Sequence, residues 1–212
     1  MKRIALFAAF MIAAALPNGA EAITACKLQQ PDRDIRKFFP ESTGYKTIVS
    51  SLKKADGEEL LQEFEERLGD KLDKKYEAID VEHTTYMVLK DEEPIGYVSG
   101  VNQKGQFGAM QVFTATDLEG KILTVSYQRV VSPHAKALKG KETLLQFKDL
   151  TLGDFYLNTK KAAALLPPNE KSAVDFKATV RAVRKNLIYS DIFNLNRKHD
   201  KQFLESKKGK LK

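Results

Sequence analysis

The chain has 212 residues, 42% of them hydrophobic and 30% charged, with a formal net charge of +7 and one cysteine. Its length fits one domain with an appendage, its apolar content excludes an intrinsically disordered chain, and its single cysteine excludes an internal disulfide. Residues 197–212 carry seven Lys and Arg against Asp200 and Glu205, which leaves 23–196 at +1, so the body has no basic nucleic-acid footprint.

Lys2 and Arg3 precede an uninterrupted apolar run, Ile4 to Leu16, which Pro17, Asn18 and Gly19 break before Ala20-Glu21-Ala22. A permanent membrane span needs roughly 20 apolar residues, and this run is shorter. The order of charge, apolar core and small-x-small site predicts a secretory signal over residues 1–22 and a periplasmic or otherwise extracytoplasmic location. Ile23-Thr24-Ala25-Cys26 also fits a lipoprotein box, so Cys26 is either acylated or a free or intermolecular thiol.

Residues 23–80 read as a small helical and strand region. Pro31 and Asp32 open a short helix that Pro40 stops, with Ile35, Phe38 and Phe39 on its apolar side. Tyr45 to Leu52 has β-branched, strand-like content. Asp56 is placed to cap a helix over 57–68, where Leu60, Leu61, Phe64 and Leu68 share a face and Gly69 ends it; its acidic outer face reads as solvated.

From Thr84 the pattern changes to period two. Strands are predicted over 84–90, 95–101, 107–116 and 121–131, joined by Asp91–Pro94, Asn102–Gly105 and Asp117–Gly120. Short turns between alternating strands give an antiparallel meander. Short helices follow over 133–139, 141–147 and 160–166. A long helix over 172–193 carries the stripe Ala173, Phe176, Val180, Val183 and Leu187, broad enough to cover one face of a sheet. The expected class is therefore α+β, with an antiparallel sheet covered by a long C-terminal helix over 81–193. The basic tail, 194–212, reads as a solvated terminus or as a contact for anionic lipid or an acidic partner.

His83, His134 and His199 stand apart from one another and from Cys26, so no metal-ligand spacing appears, and no nucleophile, P-loop or Rossmann motif is present. His134, on a loop, is either a general base or an ordinary surface histidine.

One order of motifs is more specific. Ile95-Gly96-Tyr97 is followed by Phe107–Val112, by Asp117-Leu118-Glu119-Gly120-Lys121-Ile122, by Ser132-Pro133-His134, by Gln146-Phe147 and by a helix starting near Ser172. This order resembles the FMN-binding domain of flavin subunits in sodium-pumping NADH:quinone reductases and Rnf-type electron-transport complexes, over about residues 84–188. The resemblance implies an extracytoplasmic flavin module that exchanges electrons with a membrane redox complex or a cytochrome and is not a stand-alone catalyst. Asn169 stands where the family has its flavin-accepting threonine. An amide cannot form that phosphoester, so the implied FMN is non-covalent. Its six expected contacts are Lys136, Lys171 and the start of the Ser172 helix for the phosphate, with Lys139 as a further charge, Phe107 for the ring, with Tyr97 as the alternative, and Asn169 and His134 within the site. Two other functions compete. One is a flavin-free envelope binding or assembly module that docks to a membrane complex. The other is a membrane-tethered ligand-binding protein held by Cys26 and the basic tail.

Overall fold

The computed structural model describes residues 26–52, 57–73 and 82–209. The signal segment and the Asp56 cap lie outside them.

Helix α1, Pro31–Phe38, begins with proline at its first position, carries Asp32 and Asp34 in its first turn and ends on Arg36 and Lys37. Each charge opposes the nearer end of the helix dipole, and proline costs nothing where no intrahelical donor is needed. Strand β1, Gly44–Ser50, follows, and then helix α2, Gly57–Leu68, which stops at Gly69 with φ +73°. Strands β2 (His83–Lys90), β3 (Glu93–Lys104), β4 (Ala109–Thr116) and β5 (Ile122–Val130) complete one antiparallel sheet in the order β1-β2-β3-β4-β5.

The β2–β3 turn places Asp91 and Glu92 at φ +49° and +73°, between paired Lys90 and Glu93. Two left-handed residues match the twist of a tight hairpin. The next hairpin departs from expectation. β3 runs on to Lys104, and the turn is Gly105-Gln106-Phe107-Gly108, closed by Gly105 N–H donating to Gly108 O at 2.8 Å. Phe107 therefore sits in a turn and not in a strand.

The period-two pattern gives the sheet two buried faces. One presents Tyr86, Val88, Val98, Phe113 and Ala115 to Cys26, Leu28, Ile35 and Phe39. Burying a side chain such as Ile35 or Phe39 is worth about 1.5–3 kcal/mol. The Phe39 ring occupies the space a β-carbon on Gly96 would need, 2.6 Å from Cζ. The other face presents Val101, Met110, Val112, Val125 and Tyr127 to helix α7, Ala173–Phe193.

Four short helices lead to α7: α3 (Ala135–Leu138), α4 (Lys141–Leu145), α5 (Leu152–Leu157) and α6 (Lys160–Ala163). The sequence reading missed α5. Its signal was Thr151-x-x-Asp154, which forms a reciprocal capping box.

The seam between α7 and the sheet is more polar than the expected apolar stripe. Phe176, Val183 and Leu187 are buried, but so are Asp175, Thr179, Lys185 and Asn186. Tyr127 Oη and Thr179 Oγ1 lie 2.7 Å apart. Asn186 donates to Val112 O at 3.0 Å and Thr114 Oγ1 at 3.1 Å, and accepts from Ser99 Oγ at 3.3 Å. Lys185 donates to Asn102 O at 2.7 Å. These partners offset the cost of burying polar groups.

Part of the basic C-terminal segment is helical. Asp200–Gly209 forms helix α8, with Phe203 and His199 buried. It packs chiefly on α5, and ion pairs tie this segment to the acidic side of α2, expected to be merely solvated: Arg197 with Glu63, and Lys207 with Glu66 at 2.5 Å. An acidic partner for part of the basic segment is thus supplied by the same chain. Among the described residues no helix is long and apolar enough to cross a membrane.

Candidate functional site

The meander brings the β3–β4 turn and the loop after β5 to the N-terminal end of α7. Asp175, in the first turn of α7, joins them. Its carboxylate accepts from Gln106 N–H at 2.7 Å and from Ser132 Oγ at 2.6 Å, and Ser132 Oγ in turn accepts from His134 N–H at 3.1 Å. Gly105 permits this approach, since a β-carbon there would lie 2.7 Å from Asp175 Oδ1. A carboxylate at this end of a helix is favoured by the dipole.

The six residues expected to hold a flavin divide into three groups. Phe107 and His134 meet edge to face, with centroids 6.1 Å apart, and Phe107 is 47% exposed. Asn169 and Ser172 form a helix cap. Asn169 Oδ1 accepts from Ser172 N–H at 3.0 Å, and Ser172 Oγ donates to Asn169 O at 2.9 Å, as a one-turn 3₁₀ helix, Glu170–Ser172, feeds α7. Lys136 and Lys171 are exposed. A phosphate at this tip would meet an amide already used as a cap, a buried serine hydroxyl already bonded and the buried Asp175 carboxylate.

Two grooves flank the outer side of α7 instead, and the sequence reading pointed to neither. One, of about 370 Å³, lies between α7 and the α5–α6 segment, and its walls include Phe155, Leu165, Phe176 and Val180. The other, of about 500 Å³, lies on the side of the Leu68–Asp70 corner. Lys177 and Arg184 reach both. None of the six expected flavin contacts lines either groove. Volumes of this order suit small organic ligands, whose sites span roughly 300–1,000 Å³.

Two arginines one turn apart on α7 differ sharply in their partners. Arg181 bonds Asp70 Oδ2, Gln103 Oε1 and Lys71 O, each at 2.9 Å. Arg184 makes one long bond, from Nη2 to Arg67 O at 3.4 Å, and its Nε is buried with no acceptor among the described residues. Burial pulls the Arg184 guanidinium below its usual value; Tyr156 and Asp70 oppose that pull and the Arg181 charge adds to it. No pattern in the sequence separates these two arginines, because their difference is set by Asp70, Lys71 and Gln103, which accept hydrogen bonds from Arg181 and none from Arg184.

Burial pushes the Cys26 thiol up to about 12, which leaves it unreactive at neutral pH. His83 is held down to about 3 by burial and secondarily by Lys185, and its ring stacks on Tyr189 at 4.0 Å. Neither a family model nor a curated protein matches this chain.

Proposed function

We propose that this protein is an exported, flavin-free binding module, without catalysis of its own, whose ligand site is the groove between α7 and the α5–α6 segment. The observation that carries this reading is the contrast at α7. Its N-terminal tip is filled by Asp175 and the Asn169 cap, whereas an apolar groove holding two cations stays open one turn further along. The charged, apolar and small-residue order of residues 1–22 supports export, and docking to a membrane complex in the envelope fits that location. Cys26 packs among Leu28, Ile35 and Phe39, which favours a core thiol over a lipid anchor.

The second reading is a non-covalent FMN module serving a membrane redox complex or cytochrome. The exposed Phe107 beside His134 favours it, as a surface on which an isoalloxazine ring could lie. Purification separates the two readings. The expected product is colourless and takes up no FMN on titration. A yellow protein whose flavin spectrum is bleached by dithionite overturns the first reading and restores the second. Intact mass of the exported chain distinguishes an N-terminus at Ile23 from an acylated Cys26.

A further inference from the structure

We propose that the groove between α7 and the α5–α6 segment takes a single-chain apolar molecule ending in a carboxylate, with Arg184 receiving the carboxylate. This rests on the binding-module reading and names its ligand class. The walls are aromatic and aliphatic along most of their length: Phe155, Leu165, Phe176 and Val180. The polar exceptions are Asn158, Lys177 and Arg184, and no acidic residue lines the groove. An uncharged hydrocarbon would fill the walls but leave Arg184 as it is. An inorganic anion would satisfy Arg184 but leave the walls wet.

Arg184 is the group that asks for a ligand. A guanidinium offers five donors in a planar fork that matches a carboxylate, and Asp70, on the side of the second groove, acts on Arg184 without a hydrogen bond to it. Arg181 shows what this helix does with an arginine meant for structure: each of its nitrogens has a protein acceptor. The corresponding acceptors of Arg184 are absent among the described residues, apart from one long bond to Arg67 O. Lys177, exposed about two turns away, adds a second positive charge at the opening without the fork. The space of about 370 Å³ suits one chain of medium length and is too small for a two-chain lipid.

The test uses the full mature chain and calorimetric titration with decanoate, decanol and acetate, all below the aggregation range of the amphiphiles. Saturable 1:1 decanoate binding is expected, with decanol at least tenfold weaker and no heat from acetate. Arg184→Met keeps an unbranched apolar stem and should weaken decanoate at least tenfold while leaving decanol unchanged. Ala162→Phe intrudes on the groove wall and should weaken decanoate with every charge in place. Absence of saturable decanoate binding overturns the inference. Equal affinity for decanol and decanoate overturns the role of Arg184, as does unchanged decanoate binding by a folded Arg184→Met variant. Should that variant fail to fold, the wild-type comparison of decanoate with decanol still decides. A colourless protein that ignores decanoate sinks this inference alone. A yellow one sinks the binding-module reading beneath it.

Discussion

Helix α7 carries a fully buried aspartate near each end, and the two ends satisfy them by different means. Asp175, in the first turn, is held by a backbone N–H and a serine hydroxyl, both neutral. Asp191, near the C-terminal end, is held by Arg67 Nη1 at 3.0 Å, His199 Nδ1 at 2.8 Å and His199 N–H at 3.1 Å. The helix dipole favours the first carboxylate and opposes the second. A negative charge at the positive end needs only hydrogen bonds. At the negative end it needs a cation brought from elsewhere, and Arg67 comes from α2. That requirement joins three separate stretches of chain, because Arg67 also pairs with Glu63 and with Asp200 at the start of α8. One end of α7 gathers two loops with neutral donors alone; the other ties α2 and α8 to it through a cation.

The largest effect should come from Arg67→Met. The Arg67 side chain is 2% exposed and Asp191 is 0% exposed, so the substitution strands a buried carboxylate beside His199. Breaking one side of a buried ion pair costs about 3–5 kcal/mol. The urea midpoint should fall accordingly, and limited proteolysis should cut first between α7 and α8, releasing the segment that holds Phe203. A variant that melts like the wild type would mean that the cation is dispensable and that the dipole contrast is wrong.

Asp175→Asn should cost less, about 1–3 kcal/mol, the range for losing a hydrogen bond to a buried charged group. The amide keeps an acceptor for one of Gln106 N–H and Ser132 Oγ but not for both as a carboxylate does. Its damage should stay local. Hydrogen exchange should accelerate in the 105–108 turn and the loop at 132–134, with α8 protected as before. Equal exchange losses at both ends would erase the distinction between a local closure and a global clamp.

The two ends were unequally legible in the sequence. The meander, α1, α2 and α7 follow from period-two and period-3.6 patterns interrupted by Gly, Pro and Asp, because those patterns record which face is buried. The first turn of α7 falls near Ser172 as expected, but the part Asp175 plays there is not legible: it lies outside the apolar stripe, and its partners come from the β3–β4 turn and the loop after β5. Helix α8 was invisible for a related reason. Its basic residues look like a solvated tail unless Glu63, Glu66 and Arg67, far back in the chain, are known to lie beside it. Arg184 and Arg181 likewise differ only in tertiary neighbours. Periodicity reports burial of apolar faces; it is silent on which polar group finds which partner.

Mild acid sharpens the contrast from another direction. His83 stacks on Tyr189, two residues before Asp191, and burial holds its folded value at about 3. The unfolded chain therefore binds the extra proton first, and stability is lost as pH falls from the unfolded value near 6.5 toward 3. Going from about pH 7 to about pH 5.5 should cost about 1 kcal/mol and should loosen the C-terminal half of α7 before its N-terminal turn. Glu63, which burial raises but which bonds from Arg197 and Arg67 hold below the carboxylate range, contributes stability that is lost only at lower pH, outside this window. His83→Phe, which keeps an aromatic ring against Tyr189, should flatten the loss between these two pH values in urea melts. An unchanged slope would assign the acid sensitivity elsewhere.

The smallest effect should come from the surface pair of the same clamp. Lys207 and Glu66 are both exposed, at 48% and 42% of their side chains, whereas Arg67 is not. Exposed ion pairs contribute little and are screened by salt, while buried ones are screened far less. Lys207→Ala should therefore leave the urea midpoint within error, and so should raising salt to about 0.5 M, where charges farther apart than a few ångströms no longer feel one another. If the basic character of the C-terminal segment were what held it, salt alone would free α8 and expose the bond after Arg197 to protease. A salt-resistant α8 that is nonetheless released by Arg67→Met places the grip in the buried Arg67–Asp191–Asp200 contacts and in Phe203, which the Arg67 guanidinium covers at 5.2 Å and the Lys207 ammonium at 4.8 Å.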